Sequence, residues 1–288
     1  MNIYDNIIQN DKYIISYSDN IVEAWSVQNI PFEPKDWQKE MRTDLRCSLE
    51  KIASISSLGM YAKYAVENNA YCDVENVLLY NIGTGVFRNI CNSILCLERE
   101  FSSILPPIQV KNIMPHYYRY ELISNANLKV YSPKITLAEW AGLECDKFDE
   151  KPSFYWNYIK NSLLDIQHKD FNDKFGIEIK ITAPRMINLT SIIKPLLDGV
   201  ICAFHCHDRN TDDDILNALF SQTGISKAAL ENMLLDGNFN VLGKRNLIWK
   251  RGNGIQWSPA DDLCVAIKLM LDVNPSNGWR IDVKIFSI

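Results

Sequence analysis

The chain has 288 residues, 47% of them hydrophobic and 11% aromatic, with only 12 glycines. That is enough apolar material for one large domain or two ordinary ones, and it excludes a disordered chain. Thirty-five acidic against 30 basic residues leave a formal net charge of −5, a poor footprint for a dedicated nucleic-acid binder, although a local basic groove stays open.

Eight cysteines, at 47, 72, 91, 96, 145, 202, 206 and 264, include no CxxC pair. In a chain of this size that is the pattern of free thiols in a reducing compartment, not of a disulfide framework. The N-terminus has neither a basic start nor an apolar run, and no stretch approaches the roughly 18 apolar residues of a membrane span. The expectation is a cytoplasmic protein without a membrane partner.

In chain order, Lys12 to Tyr17 alternates as a strand, Trp25 follows, and Pro31 and Pro34 make a turn. From Trp37 to about Ile55, Met41, Leu45, Leu49, Ile52 and Ile55 fall on one helical face. Leu58 to Val66 is the next strand, Asn68 and Asn69 a break, and Asp73-Val74-Glu75-Asn76 opens a short helical run from Val77 to Tyr80. A helix is predicted from about Val86 to Glu100, and a strand from Tyr117 to Ile123.

The succession then starts again. Val130-Tyr131-Ser132 leads to Trp140 as Ser16-Tyr17-Ser18 leads to Trp25, and Trp156 opens a helix (Ile159, Leu163, Leu164, Ile166) as Trp37 does. Phe175 to Ile181 echoes Leu58 to Tyr64, with Gly59 and Lys63 answered by Gly176 and Lys180. Asn188, Thr190 and Ser191 lie about 115 residues after Asp73, Glu75 and Asn76, the offset that also separates Trp25 from Trp140. Trp279-Arg280-Ile281-Asp282 repeats Tyr118-Arg119-Tyr120-Glu121. Matches in one order at nearly one offset predict an internal duplication.

The second half carries extra chain, from Cys202 to about Trp257. Thr211 is placed to cap a helix with Asp212, Asp213 and Asp214 in its first turn, and Ser226 to cap another ending near Gly237. Lys244, Arg245, Lys250 and Arg251, interleaved with Trp249 and Trp257, form the most basic segment. They are candidates for phosphate contact and base stacking, or a solvated hairpin. On a continuing helix Cys202, His205 and Cys206 would share one face, a spacing that could hold Zn²⁺ but is explained more simply by apolar-face thiols with a terminal histidine.

The stretch Asn188 to Asp198 follows a strand over 176–183 and starts a helix, with Thr190 and Ser191 as capping candidates and Pro195 near its beginning. This layout resembles the active-site helix of the RusA-type Holliday-junction resolvases, Asp-x-Asp-Asn-x-x-Lys-x-x-x-Asp. Lys194 and Asp198 match the lysine and last aspartate, while Asn188, Thr190 and Ser191 replace the first three positions. Asp261-Asp262 before Leu263 to Lys268 resembles the family's paired aspartate at a strand, and Gly278 to Ile285 its closing Gly-Arg-x-acid strand. In the first half Asp73, Glu75 and Asn76 keep the acid-x-acid-Asn character, but Leu79 stands at the lysine position and Glu98 and Glu100 are the nearest further acids.

The resemblance implies an α/β (α+β) protein of two tandem RusA-like halves, 1–126 and 127–288 with an insertion at about 202–256, forming a single-chain pseudo-dimer, since those enzymes work as dimers. It implies a Mg²⁺-dependent endodeoxyribonuclease or nucleic-acid-binding protein acting on branched or structured nucleic acid, with eroded sites. Its catalytic positions are Asp73, Glu75, Asn76, Lys194, Asp198 and Asp262, of which Asp73, Glu75 and Asp262 are the metal-ligand positions. Converging carboxylates suit Mg²⁺, whereas Asn188 and Thr190 are poor anionic substitutes. The other reading is a catalytically inactive scaffold that binds a protein partner. Asp73 and Glu75 then only cap a helix, Asp198 only pairs with Lys194, and Asp261-Asp262 only forms a turn.

Overall fold

The structure, a computed structural model, describes residues 6–53, 57–67, 72–123, 131–145, 148, 151–162, 165–209, 211–252 and 254–288. The strands of the amino-terminal part are β1 (Asn6–Gln9), β2 (Tyr13–Tyr17), β3 (Ile21–Ser26), β4 (Gly59–Ala65), β5 (Ile94–Glu100) and β6 (His116–Ile123), with helix α1 at Trp37–Ile52. There follow β7 (Thr136–Cys145), α2 (Pro152–Lys160), β8 (Asp165–Ile166), β9 (Phe175–Ala183), α3 (Leu189–Ala203) and β10 (Cys206–His207). Helices α4 (Asp213–Thr223) and α5 (Lys227–Leu235) then precede β11 (Lys244–Arg245), β12 (Ile248–Arg251), β13 (Gly254–Trp257), β14 (Cys264–Val273) and β15 (Trp279–Ser287). Helices with a large mixed sheet place the chain in the α/β, or α+β, class. Among the described residues no helix is long and apolar enough to cross a membrane.

The chain divides into two compact units, 1–132 with 185–191 and 264–273, and 133–184 with 192–263 and 274–288. In the first unit the strand order is β1-β2-β3-β6-β4-β5-β14, antiparallel except for the parallel β4/β5 pair. Met41, Leu45, Leu49 and Ile52, the face expected of α1, are all buried. Tyr13 on β2 stacks on Trp37 and donates to Asp44 Oδ2 at 2.6 Å, fixing α1 at its first turns. Gly59 lets β4 and β5 close, because a Cβ there would lie 1.9 Å from the Ile94 carbonyl oxygen. Trp25, Ile14, Ala65 and Tyr117 pack together beneath the segment carrying Ile104 and Ile108, and the Trp25 indole donates to Ile104 O at 3.0 Å.

In the second unit the order is β9-β15-β7-β8, all antiparallel. Ile177, Ile179 and Ile181 on β9 and Ile281, Val283 and Ile285 on β15 alternate into the core. Gly199 on α3 lies against α2, where a Cβ would come 2.4 Å from Pro152 O and 2.8 Å from Tyr155 Cβ.

The two units share an internal pattern. Strand, helix and strand recur as β3-α1-β4 and β7-α2-β9, and the lateral order β3-β6-β4 has its counterpart in β7-β15-β9 with the same antiparallel directions. Arg119 lies opposite Glu23 and bonds Glu121, and Arg280 lies opposite Glu144 and bonds Asp282. The other matches do not share a register. Lys63 faces Arg119 whereas Lys180 faces Asp282, and Trp25 faces Tyr117 whereas Trp140 faces Val283, beyond a bulge in β7/β15.

Several expected elements are corrected. The helix predicted over Val86 to Glu100 is a 3₁₀ turn at Thr84–Phe87 followed by strand β5. Five of its seven residues, Ile94 to Leu97 and Arg99, are buried, so both strand faces are covered and the apolar run has no alternation to betray a strand. The second helix ends at Lys160, with Trp156 in its middle and Ile166 in β8; Leu163 and Leu164 lie outside the described residues, as do Asn68, Asn69 and Ile55. The cap of α4 is Asp212, whose carboxylate accepts from Asp214 N at 2.9 Å, in place of Thr211. Ser226 caps α5 as expected.

Candidate functional site

In the first unit the acid-x-acid-Asn motif sits where a short helical turn passes into a π-helix, Asn76–Tyr80. Regular helical spacing sends residues i and i+2 to different faces. Here Asp73 lies just before the helical turn and Glu75 within it, and carboxylate oxygens of the two lie within 4.8 Å of each other. Asp73 is half-buried and Glu75 fully buried. The Asn76 amide donates to Asp73 Oδ2, setting the angle of that carboxylate. Leu79, at the lysine position of the motif, is buried among Val77 and Leu78 on the same turn and offers no charge.

Arg99 supplies a cation close by. Its guanidinium donates to Cys72 O, one residue before Asp73, at 3.0 Å and lies 4.7 Å over the Phe101 ring. The sequence alone does not single it out, because Glu98, Arg99 and Glu100 show their alternation only once the stretch is a strand. The same alternation sends Glu98 and Glu100 to the other sheet face, away from the motif. There Tyr61 donates to Glu98 at 2.6 Å and Lys63 to Glu100 at 2.6 Å, and the Lys63 bond holds the Glu100 carboxyl below its usual range. Arg119 bridges Glu23 and Glu121 on that face, and Tyr117 donates to Glu23. Burial and the Glu23 carboxylate push the Tyr117 phenol up.

The second motif has become a helix start. Asn188 Oδ1 accepts from Thr190 N at 3.1 Å and Thr190 Oγ1 at 2.8 Å, so Asn188 is the cap that Thr190 and Ser191 were expected to be; the Ser191 hydroxyl turns back to Asn188 O at 2.7 Å. Asn188 and Thr190, at two ligand positions of the motif, are thus engaged with each other. Within the second unit Lys194 bridges Asp198 Oδ1 at 3.1 Å and Asp261 Oδ2 at 2.9 Å, all three largely shielded from solvent. Of the aspartate pair it is Asp261, on the 3₁₀ turn Asp261–Leu263, that meets Lys194, although Asp262 was the position singled out. Two carboxylates around one ammonium leave the cluster with a formal charge of −1.

The zinc arrangement does not form. Helix α3 stops at Ala203, so His205 and Cys206 leave its face. His205 Nδ1 bonds Gly243 O at 2.9 Å and Cys206 Sγ approaches Leu235 O at 3.2 Å. Among the described residues the ligand atoms of Cys202, His205 and Cys206 do not converge. Burial drives the His205 imidazole down to about 4, which keeps it neutral, and the buried Lys160 ammonium, over the Phe239 ring, donates to His205 O at 3.1 Å.

The basic segment is also distributed by the fold. Lys244 and Arg245 pair as β11 with β10, while Trp249, Lys250 and Arg251 line the exposed β12 of a hairpin with β13. Lys250 is engaged by Asp214 and Arg251 by Gln256. Lys227 likewise lies 3.6 Å from Asp213. Pairing with Asp214 offsets the charge of Lys250, while Arg251 meets only a neutral amide.

A scan against family models, a search of curated proteins and a search of solved structures each find no match.

Proposed function

We propose that this chain is a divalent-cation-dependent endonuclease, or a binding protein descended from one, built on a duplicated RusA-like scaffold and acting on branched or structured nucleic acid in the cytoplasm. The observation that carries the reading is the Asp73–Glu75 pair. These are two hard oxygen donors held within 4.8 Å by an irregular helix start, with an amide setting one of them. The donor set fits Mg²⁺, which takes one or two carboxylates and completes its shell with water and substrate phosphate oxygens. Bound there, such an ion supplies activation of a water and stabilisation of charge on the phosphate.

Asp73 and Glu75 would hold the ion, and Asn76 orients Asp73. Arg99 contributes fixed positive charge near a polyanion in place of the missing lysine at Leu79. Asn188, Thr190, Lys194, Asp198 and Asp261 belong to a second motif whose carboxylates share one lysine or are replaced, and their work is to cap and stiffen α3. Trp249, Lys244, Arg245, Lys250 and Arg251 are the proposed contacts to a strand, with Lys250 released from Asp214 on binding. The duplication is supported by the shared β3-β6-β4 and β7-β15-β9 order and by the repeated Arg-x-acid pairs. The free thiols among the described residues support a reducing compartment.

The test is cleavage of four-way junction, flap and linear DNA and of structured RNA with Mg²⁺ or Mn²⁺, comparing wild type with Asp73→Asn, Asp261→Asn and Asp262→Asn. Loss in Asp73→Asn, with cutting retained in Asp261→Asn, is expected. Binding of branched substrates without cleavage in either metal would instead establish a catalytically inactive module.

A further inference from the structure

We infer that a cleft beside the Asp73 motif is a pocket for one unpaired nucleobase, a specificity-determining subsite that rests on the nuclease reading above. The cleft encloses about 420 Å³, within the range of small-ligand sites. Its walls include Asn29, Phe32, Asp73, Asn76, Val77 and Asn81. Phe32 is 69% exposed, so the face of its ring is open to a stacking partner. It is not on a loose tip: its carbonyl accepts from Arg42 at 3.3 Å, and the Asn29 carbonyl accepts from Gln38 at 3.0 Å. Helix α1 therefore holds both residues of the wall.

The polar groups define the occupant. Asn81 gives one of its two amide N–H groups to Ile30 O at 2.9 Å, and Asn76 gives one of its own to Asp73, so each side-chain carbonyl oxygen can still accept. Asn29 adds an exposed amide able to donate and accept. Among the described residues the wall holds no lysine or arginine side chain and includes the Asp73 carboxylate, which disfavours a phosphate there. A planar, uncharged heterocycle rich in N–H groups suits it: its face stacks on Phe32 and its exocyclic amine or ring N–H meets the amide oxygens and the Asp73 carboxylate. Asp73 lines both this cleft and the carboxylate pair, so the nucleotide whose base is held here is next to the phosphate presented to that pair.

The experiment uses the full chain with flap DNA carrying 2-aminopurine at each unpaired position in turn, in Ca²⁺. Stacking on Phe32 predicts saturable quenching at one position, lost in Phe32→Ala with about a tenfold weaker affinity, and restored in Phe32→Trp. Absence of a quenched position in wild type overturns the subsite. So does quenching that survives Phe32→Ala, or that vanishes only in Trp249→Ala, since the base then stacks elsewhere. Cleavage of the same unlabelled flap in Mg²⁺, scored in parallel, reports separately on the nuclease reading: cutting without quenching removes the subsite alone, and the lack of both removes both.

Discussion

Acidifying the protein from pH 7 to pH 5 should cost stability through His205, and the amount follows from its setting. The imidazole is buried, its Nδ1 bonds Gly243 O, its Nε2 has no partner among the described residues, and burial lowers its pKa from 6.5 to about 4. A histidine kept neutral by the fold binds its proton more readily when unfolded, so stability is complete above about pH 6.5 and is lost as pH falls toward 4. At 1.36 kcal/mol per pH unit the whole displacement is worth about 3 kcal/mol, of which about 2 kcal/mol is gone by pH 5. His116 and His207, also lowered by burial, add to the same slope. The assay is urea denaturation at half-unit steps from pH 7.5 to 4.5 for wild type and His205→Asn, whose amide can still donate to Gly243 O and does not titrate. The variant should be less stable at pH 7, because a ring is removed from a packed site, yet show a slope shallower by about 2 kcal/mol over pH 7 to 5. Parallel curves for the two proteins would refute the assignment.

Three other substitutions probe the scaffold. Gly199→Ala drives a methyl into Pro152 O and Tyr155 Cβ and should cost about 2–3 kcal/mol, seen as a lower urea midpoint at unchanged m-value. Asn188→Ala removes the cap of α3 and should cost about 1 kcal/mol, whereas Ser191→Ala should cost less; equal losses would return the cap to Ser191. Arg119→Met leaves the buried Glu23 with the Tyr117 hydroxyl but without its cation and should destabilise by about 3 kcal/mol, most of which Glu23→Gln restores in the double variant, as read from thermal or urea unfolding of all four proteins.

Much of the scaffold was legible because its elements obey simple periods. α1 shows an apolar residue at each helical turn from Met41 to Ile52, and β9 and β15 alternate. What was misread had lost its period or depended on partners distant in sequence. β5 is covered on both faces, so it reads like a buried helix, and that hid the alternation that separates Arg99 from Glu98 and Glu100. The cap of α3 was misplaced by two residues because Asn188 reaches forward to Thr190. Asp261 and Asp262 are indistinguishable as neighbours in a sequence, and only the 3₁₀ turn decides which one faces Lys194. The proximity of Asp73 and Glu75 depends on Asp73 lying just outside the helical turn that Glu75 belongs to, a boundary that periodicity alone does not place.

Everything in the proposed chemistry rests on Asp73 and Glu75 holding a divalent cation. Titration of the full chain with Mn²⁺, followed by the loss of the free-ion electron paramagnetic resonance signal, measures that without any substrate. One site that is displaced by Mg²⁺, abolished in Asp73→Asn and in Glu75→Gln, and retained in Asp198→Asn is the expected result. Wild-type protein that leaves the Mn²⁺ signal unchanged up to millimolar concentrations, or binds it equally in Asp73→Asn, would contradict it.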